Sequence, residues 1–260
     1  MPGADLRDIE LYYEERGDGA PLLLVPGIPA VASDWTPLAE RLAQSRRVVA
    51  YDNRGSGRST VTPGPYTTAQ LADDAVALLN QLEIERADVF GMSLGGMIAQ
   101  EVALRHPARV ARLVLGCTHA GFVHAVQPPQ ETARAFAMQT DDWSERMRAL
   151  APLAFAQEVD AALLERFIEK KSLDVQDPVG YQAQIDAVRD HDALHRLGAI
   201  AAPTLVIAGD DDRVIPAANS KTLADRIPGA RLEVIPDAGH LFFIERPVET
   251  VAVLEDFLRE

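Results

Sequence analysis

The sequence predicts an α/β chain: a mostly parallel central sheet flanked by helices, with a helical lid inserted into it. Three observations carry this. Short apolar, β-branched runs alternate with longer amphipathic ones, the pattern of βαβ units. Two of the short runs, LLLV at 22–25 and TLVIA at 204–208, suit strands covered on both faces. The alternation then stops between Thr118 and Leu197, where helical runs follow one another without a strand.

Taken in order, the expected strands are Ile9–Glu15, Leu22–Pro26, Arg47–Tyr51, Asp88–Met92, Val110–Gly116, Thr204–Ala208 and Arg231–Ile235. The expected helices between them are Asp34–Ala43, Thr68–Leu82, Leu94–His106, Ala217–Ile227 and Pro247–Leu258. Thr67 or Thr68 can cap the second helix, and Pro247 suits a first helical turn, where its missing N–H loses nothing. In the insert, Glu131–Met138, Trp143–Leu150, Asp160–Lys170 and Val179–Leu194 read as helices, punctuated by Pro128, Pro129, Pro152 and Pro178. The expected division is therefore a core of residues 1–117 and 198–260, with a lid of residues 118–197 over the ligand end of the sheet.

Composition narrows the function. Thirty-nine acidic residues against 25 basic ones leave a net charge of -14. That field repels nucleic acid and anionic membranes, and no basic run is long enough to reverse it. No apolar stretch is long enough to span a bilayer, and the N-terminal residues lack the pattern of a signal peptide. The single cysteine, Cys117, cannot form an internal disulfide and reads as a small buried apolar residue; a cytoplasmic location is expected. No metal-ligand spacing and no phosphate-cradling glycine loop occurs, so no cofactor is expected. The oligomeric state is left open.

The chemistry concentrates at Gly91-Met92-Ser93-Leu94-Gly95-Gly96, between an expected strand and an expected helix. A turn this tight strains its central residue and needs small neighbours two positions away on each side, which Gly91 and Gly95 supply. Ser93 then projects its hydroxyl beside a helix N-terminus, where negative charge is favoured. A hydroxyl needs a base to become a nucleophile. His240, in the loop Pro236–His240 after the last strand, lies at the same end of the sheet. His106 reads as a helix-end cation, His119 and His124 as lid-entrance residues, and His191 and His195 as solvent-facing. The acid that fixes the imidazole is sought in Asp210-Asp211-Asp212 after TLVIA. Asp212 is favoured, with Asp210 and Asp211 as carboxylates bonding turn backbone. For the oxyanion, the backbone N–H groups of Leu94 and Ile28 are expected, each donor worth about 3–4 kcal/mol. Pro29 has no N–H to offer.

These residues together resemble the α/β-hydrolase family over nearly the whole chain: GMSLGG, the segment DNRGSGRS at 52–59, GDDDRVIP at 209–216 and DAGH at 237–240 match in type and order. The resemblance implies a serine triad of Ser93, Asp212 and His240, a structural role for Asp52, Arg54 and Ser59, and a helical lid after the sixth strand. An Asp–Arg pair buried under the glycine-rich turn is expected there. Pro26-Gly27 departs from the His-Gly of most relatives, whose histidine orients the oxyanion loop. Members with an aspartate nucleophile are disfavoured because Ser93 occupies that point. The nearest type is the small esterase or lactonase, similar to 3-oxoadipate enol-lactonase.

The expected activity is hydrolysis of a small carboxylic ester or lactone. Carbon–carbon bond hydrolysis, haloperoxidase-like chemistry, peptidase activity and a non-catalytic ligand receptor on the same fold are the alternatives. Trp35, Met92, His119, Phe122, Met138, Trp143 and Phe242 are candidate pocket residues, and Lys170-Lys171 reads as a solvated pair on the lid.

Overall fold

The computed structural model describes residues 3–259 apart from Arg7, Gln139, Asp141 and Val175. Its eight strands are β1 (Gly3–Asp5), β2 (Glu10–Arg16), β3 (Ala20–Val25), β4 (Arg46–Tyr51), β5 (Ala87–Met92), β6 (Val110–Gly116), β7 (Thr204–Gly209) and β8 (Arg231–Ile235). They form one sheet in the order β1-β2-β4-β3-β5-β6-β7-β8. β1–β2 and β2–β4 are antiparallel; every pairing from β4 to β8 is parallel. The seven expected strands are all present, within a residue or two. β1 was not expected, because three residues reading GAD carry no strand signal; pairing with Leu11 and its neighbours makes it one.

The helices are α1 (Thr36–Leu42), α2 (Thr68–Gln81), α3 (Leu94–Arg105), α4 (Gln130–Phe136), α5 (Trp143–Ala154), α6 (Ala161–Ser172), α7 (Pro178–Asp190), α8 (Ala218–Arg226), α9 (Phe242–Glu245) and α10 (Pro247–Arg259). Strand alternation sorts the core into two layers. Leu23, Val25, Val89 and Val206 pack with α2, α3 and Leu223 of α8. Leu22, Leu24, Phe90, Leu205 and Ile207 pack with α1 and α10 on the other face. α1 starts two residues later than expected, because Ala32–Trp35 form a 3-10 turn first. Thr67 is the cap of α2, its Oγ1 accepting from the Gln70 N–H at 3.0 Å.

Between β6 and β7 the described residues form only helices and loops, closed at the base by a single bridge between Gly121 and Asp192. α5 continues through Pro152 to Ala154, and α7 stops at Asp190. Two expectations fail here. His191 is buried, not solvent-facing: its Nδ1 lies 3.0 Å from Thr68 Oγ1, with Gln100 on its other nitrogen. Lys171 is 2% exposed and paired with Asp34 and Asp174, whereas Lys170 is half exposed beside it. Helical spacing puts Lys171 on the stripe of Leu164, Phe167 and Ile168, which faces inward. No helix among the described residues is long and apolar enough to cross a membrane.

Candidate active site

Ser93 joins β5 to α3 with φ 57° and ψ −123°, the strained turn the glycine spacing predicts. A Cβ on Gly91 would strike the Gly95 carbonyl, and one on Gly95 would strike the Val25 carbonyl. The turn is pinned by the Ser93 N–H donating to Gly116 O at 2.9 Å and by Thr118 Oγ1 donating to Ser93 O at 2.8 Å.

Ser93 and His240 both face one cavity of about 530 Å³, within the range of small-molecule sites. Behind His240, its Nδ1 lies 2.8 Å from Asp212 Oδ2. The other oxygen of Asp212 accepts the N–H groups of Val214 and Ile215, each at 2.8 Å, so the carboxylate is fixed in orientation. An acceptor at Nδ1 puts the proton there and leaves Nε2 free to accept one. Asp210 and Asp211 do accept backbone N–H groups, but those of Ala238 and Gln157 on other segments rather than of their own turn, because the histidine loop and the end of α5 pack against this loop.

The loop Pro26–Pro29 passes directly against the serine: a Cβ on Gly27 would stand 2.8 Å from Ser93 Cβ. Asn53 Nδ2 donates to Pro26 O at 2.8 Å, and the Ala30 N–H to Gly27 O at 3.0 Å, which closes the turn around Ile28. Leu94 is the first residue of α3, where N–H groups have no intrahelical acceptor. Asn53 is a residue sequence reasoning missed; its place beside Asp52 in DNRGSGRS was the available signal. Asp52 itself accepts the N–H groups of Ala32 at 2.6 Å and Arg58 at 2.8 Å, and Ser59 Oγ donates to Asp52 O. Arg54 does not pair with Asp52. It forks onto Asp74 of α2 at 2.7 and 2.8 Å, because α2 crosses the turn on that side.

Of the expected pocket residues, Trp35, Met92, His119 and Phe122 line the cavity, as does Ile28. Three do not. Phe242 is fully buried in the core against Phe243, on the side of α9 turned away from the cavity. Trp143 turns its indole N–H to Lys171 O at 2.7 Å and its ring to Tyr181. Met138 follows α4 and is outside the cavity wall; its carbonyl accepts from Arg146. The helices supply Met147, Leu150 and Phe167 instead. Among the residues that sequence reasoning missed, Asp34 and Lys171 also reach this wall.

His119 is held neutral, its pKa brought down to about 4 by burial. Burial likewise pushes the Cys117 thiol well up, with the Asp212 charge adding to it. The fold brings Cys117, Asp212 and His240 within 4.8 Å, a proximity invisible in sequence spacing. The thiol is protonated there, and the facing atoms of Asp212 and His240 are bonded to each other. Glu245 is a further missed residue. Its two oxygens accept from Gly239 at 2.7 Å and Ala156 at 2.9 Å, joining the histidine loop to the end of α5.

Comparison with known proteins agrees with this geometry. Residues 22–253 match the model of the alpha/beta hydrolase family. The chain is 34% identical to a putative carbamate hydrolase RutD of Variovorax paradoxus strain S110, covering 95% of this chain and 96% of that one. It is 35% identical to the 2-hydroxymuconate semialdehyde hydrolase of Pseudomonas sp. strain CF600, covering 97% and 91%. Among solved structures, the enol-lactonase from Burkholderia xenovorans LB400 superposes with a TM-score of 0.88 at 30% identity over 100% of both chains. The chain therefore belongs to the alpha/beta hydrolase family and is an enzyme of that superfamily.

Proposed function

We propose that this hydrolase cleaves a carboxylic ester or lactone through an acyl-enzyme intermediate, with Ser93, His240 and Asp212 as its triad. The observation that supports this most is the pairing of a strained Ser93 with His240 on one cavity wall, His240 being held by Asp212 at 2.8 Å. Ser93 Oγ attacks the carbonyl carbon as its proton passes to His240 Nε2. Asp212 stabilises the imidazolium, and the N–H groups of Ile28 and Leu94 hold the oxyanion. The tetrahedral intermediate expels the alkoxide, which takes the proton from His240. Water, activated by the same nitrogen, then releases the acid. Residues 118–197 act as the lid that roofs the cavity and excludes bulk water.

Ser93→Ala tests the reading. Hydrolysis of p-nitrophenyl butyrate should fall by at least about 10⁴-fold, with an unchanged melting temperature. Wild-type turnover by the alanine variant would sink it. A second reading, carbon–carbon bond hydrolysis with the same three residues, is favoured by the similarity to the semialdehyde hydrolase. It predicts turnover of a vinylogous diketone and none of a panel of esters. Labelling of Ser93 by a fluorophosphonate with neither turnover would instead favour a ligand receptor.

A further inference from the structure

The cavity wall is aliphatic and aromatic over most of its length, with Met97, Met147, Leu150, Phe167, Ile215 and Phe243 facing it. The apolar path reaches the surface at Phe122 and Phe136, which are 44% and 40% exposed. Such a path suits an extended hydrocarbon chain.

Away from the triad, the charged side chains on the wall are paired with one another or with neighbouring carboxylates. Lys171 Nζ has three hydrogen atoms to donate and three acceptors: Asp34 Oδ2 at 2.8 Å, Pro29 O at 3.1 Å and Asp174. Lys170 closes the other side of Asp34 at 3.0 Å. Two ammoniums thus meet two carboxylates, so the cluster has no net charge, and Lys171, the member on the cavity wall, has no spare donor. Burial would raise the Asp34 pKa, but the two ammoniums outweigh it and hold the carboxyl below its ordinary value. Arg189 is forked onto Asp190 and bonded to Asp186. His119 is neutral at neutral pH; its Nδ1 accepts the Gly121 N–H at 3.2 Å, so its proton is on Nε2.

We infer that this cavity takes an uncharged, extended aliphatic acyl chain and rejects the same chain ending in a carboxylate. The specificity-determining feature is the closed Lys171–Asp34–Asp174 cluster, which places a cation at the wall and withholds it from the ligand. A carboxylate entering this wall gives up its water and finds the cations there, Lys171 and Arg189, already held by carboxylates, which is the costly form of charge burial. For the head group alone, the inference rests on the ester-hydrolase reading.

The test uses two six-carbon methyl esters that differ only at the far end, methyl hexanoate and monomethyl adipate. With the wild-type enzyme in a pH-stat, kcat/KM for the hexanoate should exceed that for the adipate by at least about 30-fold. The ratio should persist in about 0.5 M salt, where repulsion by the overall negative charge is screened but the cost of an unpaired buried charge is not. A ratio within about threefold, or one that collapses in salt, overturns the inference. Asp174→Asn, which loosens one partner of Lys171, should narrow the ratio; an unchanged ratio overturns the role of the cluster. Calorimetric binding of the same two esters to Ser93→Ala separates this inference from the hydrolase reading. If neither ester is turned over, the hydrolase reading fails. Binding of the hexanoate alone still supports the inference, and equal binding of both or of neither overturns it.

Discussion

The sheet frame and the helical segment between β6 and β7 are held together by different forces. In the frame, strand residues alternate between two aliphatic layers, and β3, β5, β6 and β7 are buried along most of their length. The segment has fewer fully buried apolar side chains and joins the frame through polar contacts. Lys171 reaches Asp34 and Pro29 O. Arg213 donates to the carbonyls of Pro152 and Phe155. Gln184 donates to Arg54 O and Ser56 Oγ, and Glu245 ties Ala156 to Gly239. The frame is a matter of area, and many of its residues share the load. The joints are few, and all but that of Gln184 sit on the loops that carry Ile28, Asp212 and His240.

The sharpest way to break this comparison is to damage each region once. Phe90→Ala empties a fully buried site against Trp35, and should cost about 3–5 kcal/mol in urea unfolding. The folded variant should keep its kcat, since the loss is spread through the frame. Lys171→Met takes the ammonium from Asp174 and leaves Asp34 with Lys170 alone; it should cost about 3 kcal/mol, the low end for a broken buried pair because Asp174 is 20% exposed and Asp34 keeps one partner. Here kcat should fall as well, because Pro29 O, beside the oxyanion loop, loses the shorter of its two donors and keeps only Gln176 at 3.4 Å. Adding Asp34→Asn should recover part of the stability. Equal kcat losses in both variants would erase the distinction.

Acid should act on the joints before the frame. His119 and His191 are kept neutral by burial, with pKa values near 4 and 3; His119 and Arg196 add to the effect at His191, and Asp192 opposes it. An unfolded histidine titrates near 6.5, so the unfolded chain takes up protons first as pH falls. Stability is complete above about pH 6.5 and is lost toward pH 4, with a slope of up to about 1.4 kcal/mol per pH unit for each histidine. Urea midpoints between pH 7 and 4.5 should show this, and His191→Gln should flatten the curve. A flat wild-type profile would contradict it. The smallest effect belongs to the exposed pair Lys221–Asp225 on α8: Lys221→Ala should change stability by less than about 0.5 kcal/mol.

Local sequence determined the frame and the order of the chemistry. Alternation of short apolar and longer amphipathic runs is enforced by backbone periods of two and 3.6, so the seven longer strands and the five helices around them are legible without contacts. The turn at Ser93 is equally local, because a strained residue flanked by glycines is a property of a few bonds. TLVIA marked the acid loop but not which of its three aspartates; Asp212, favoured by its position in the motif GDDDRVIP, is the one that bonds His240.

What only the tertiary structure decided is which side chains meet across distance. β1 exists because β2 offers it partners. Lys171 is buried because Asp34, from before α1, meets it from 137 residues away. His191 is neutral because Thr68 and Gln100 close over it. The cavity wall is shared among helices whose amphipathic pattern names an inward face but not its target, which is why Met138 and Trp143 of the segment, and Phe242 of α9 in the frame, fell elsewhere. Periodicity tells a residue which way to face; only packing supplies what it faces.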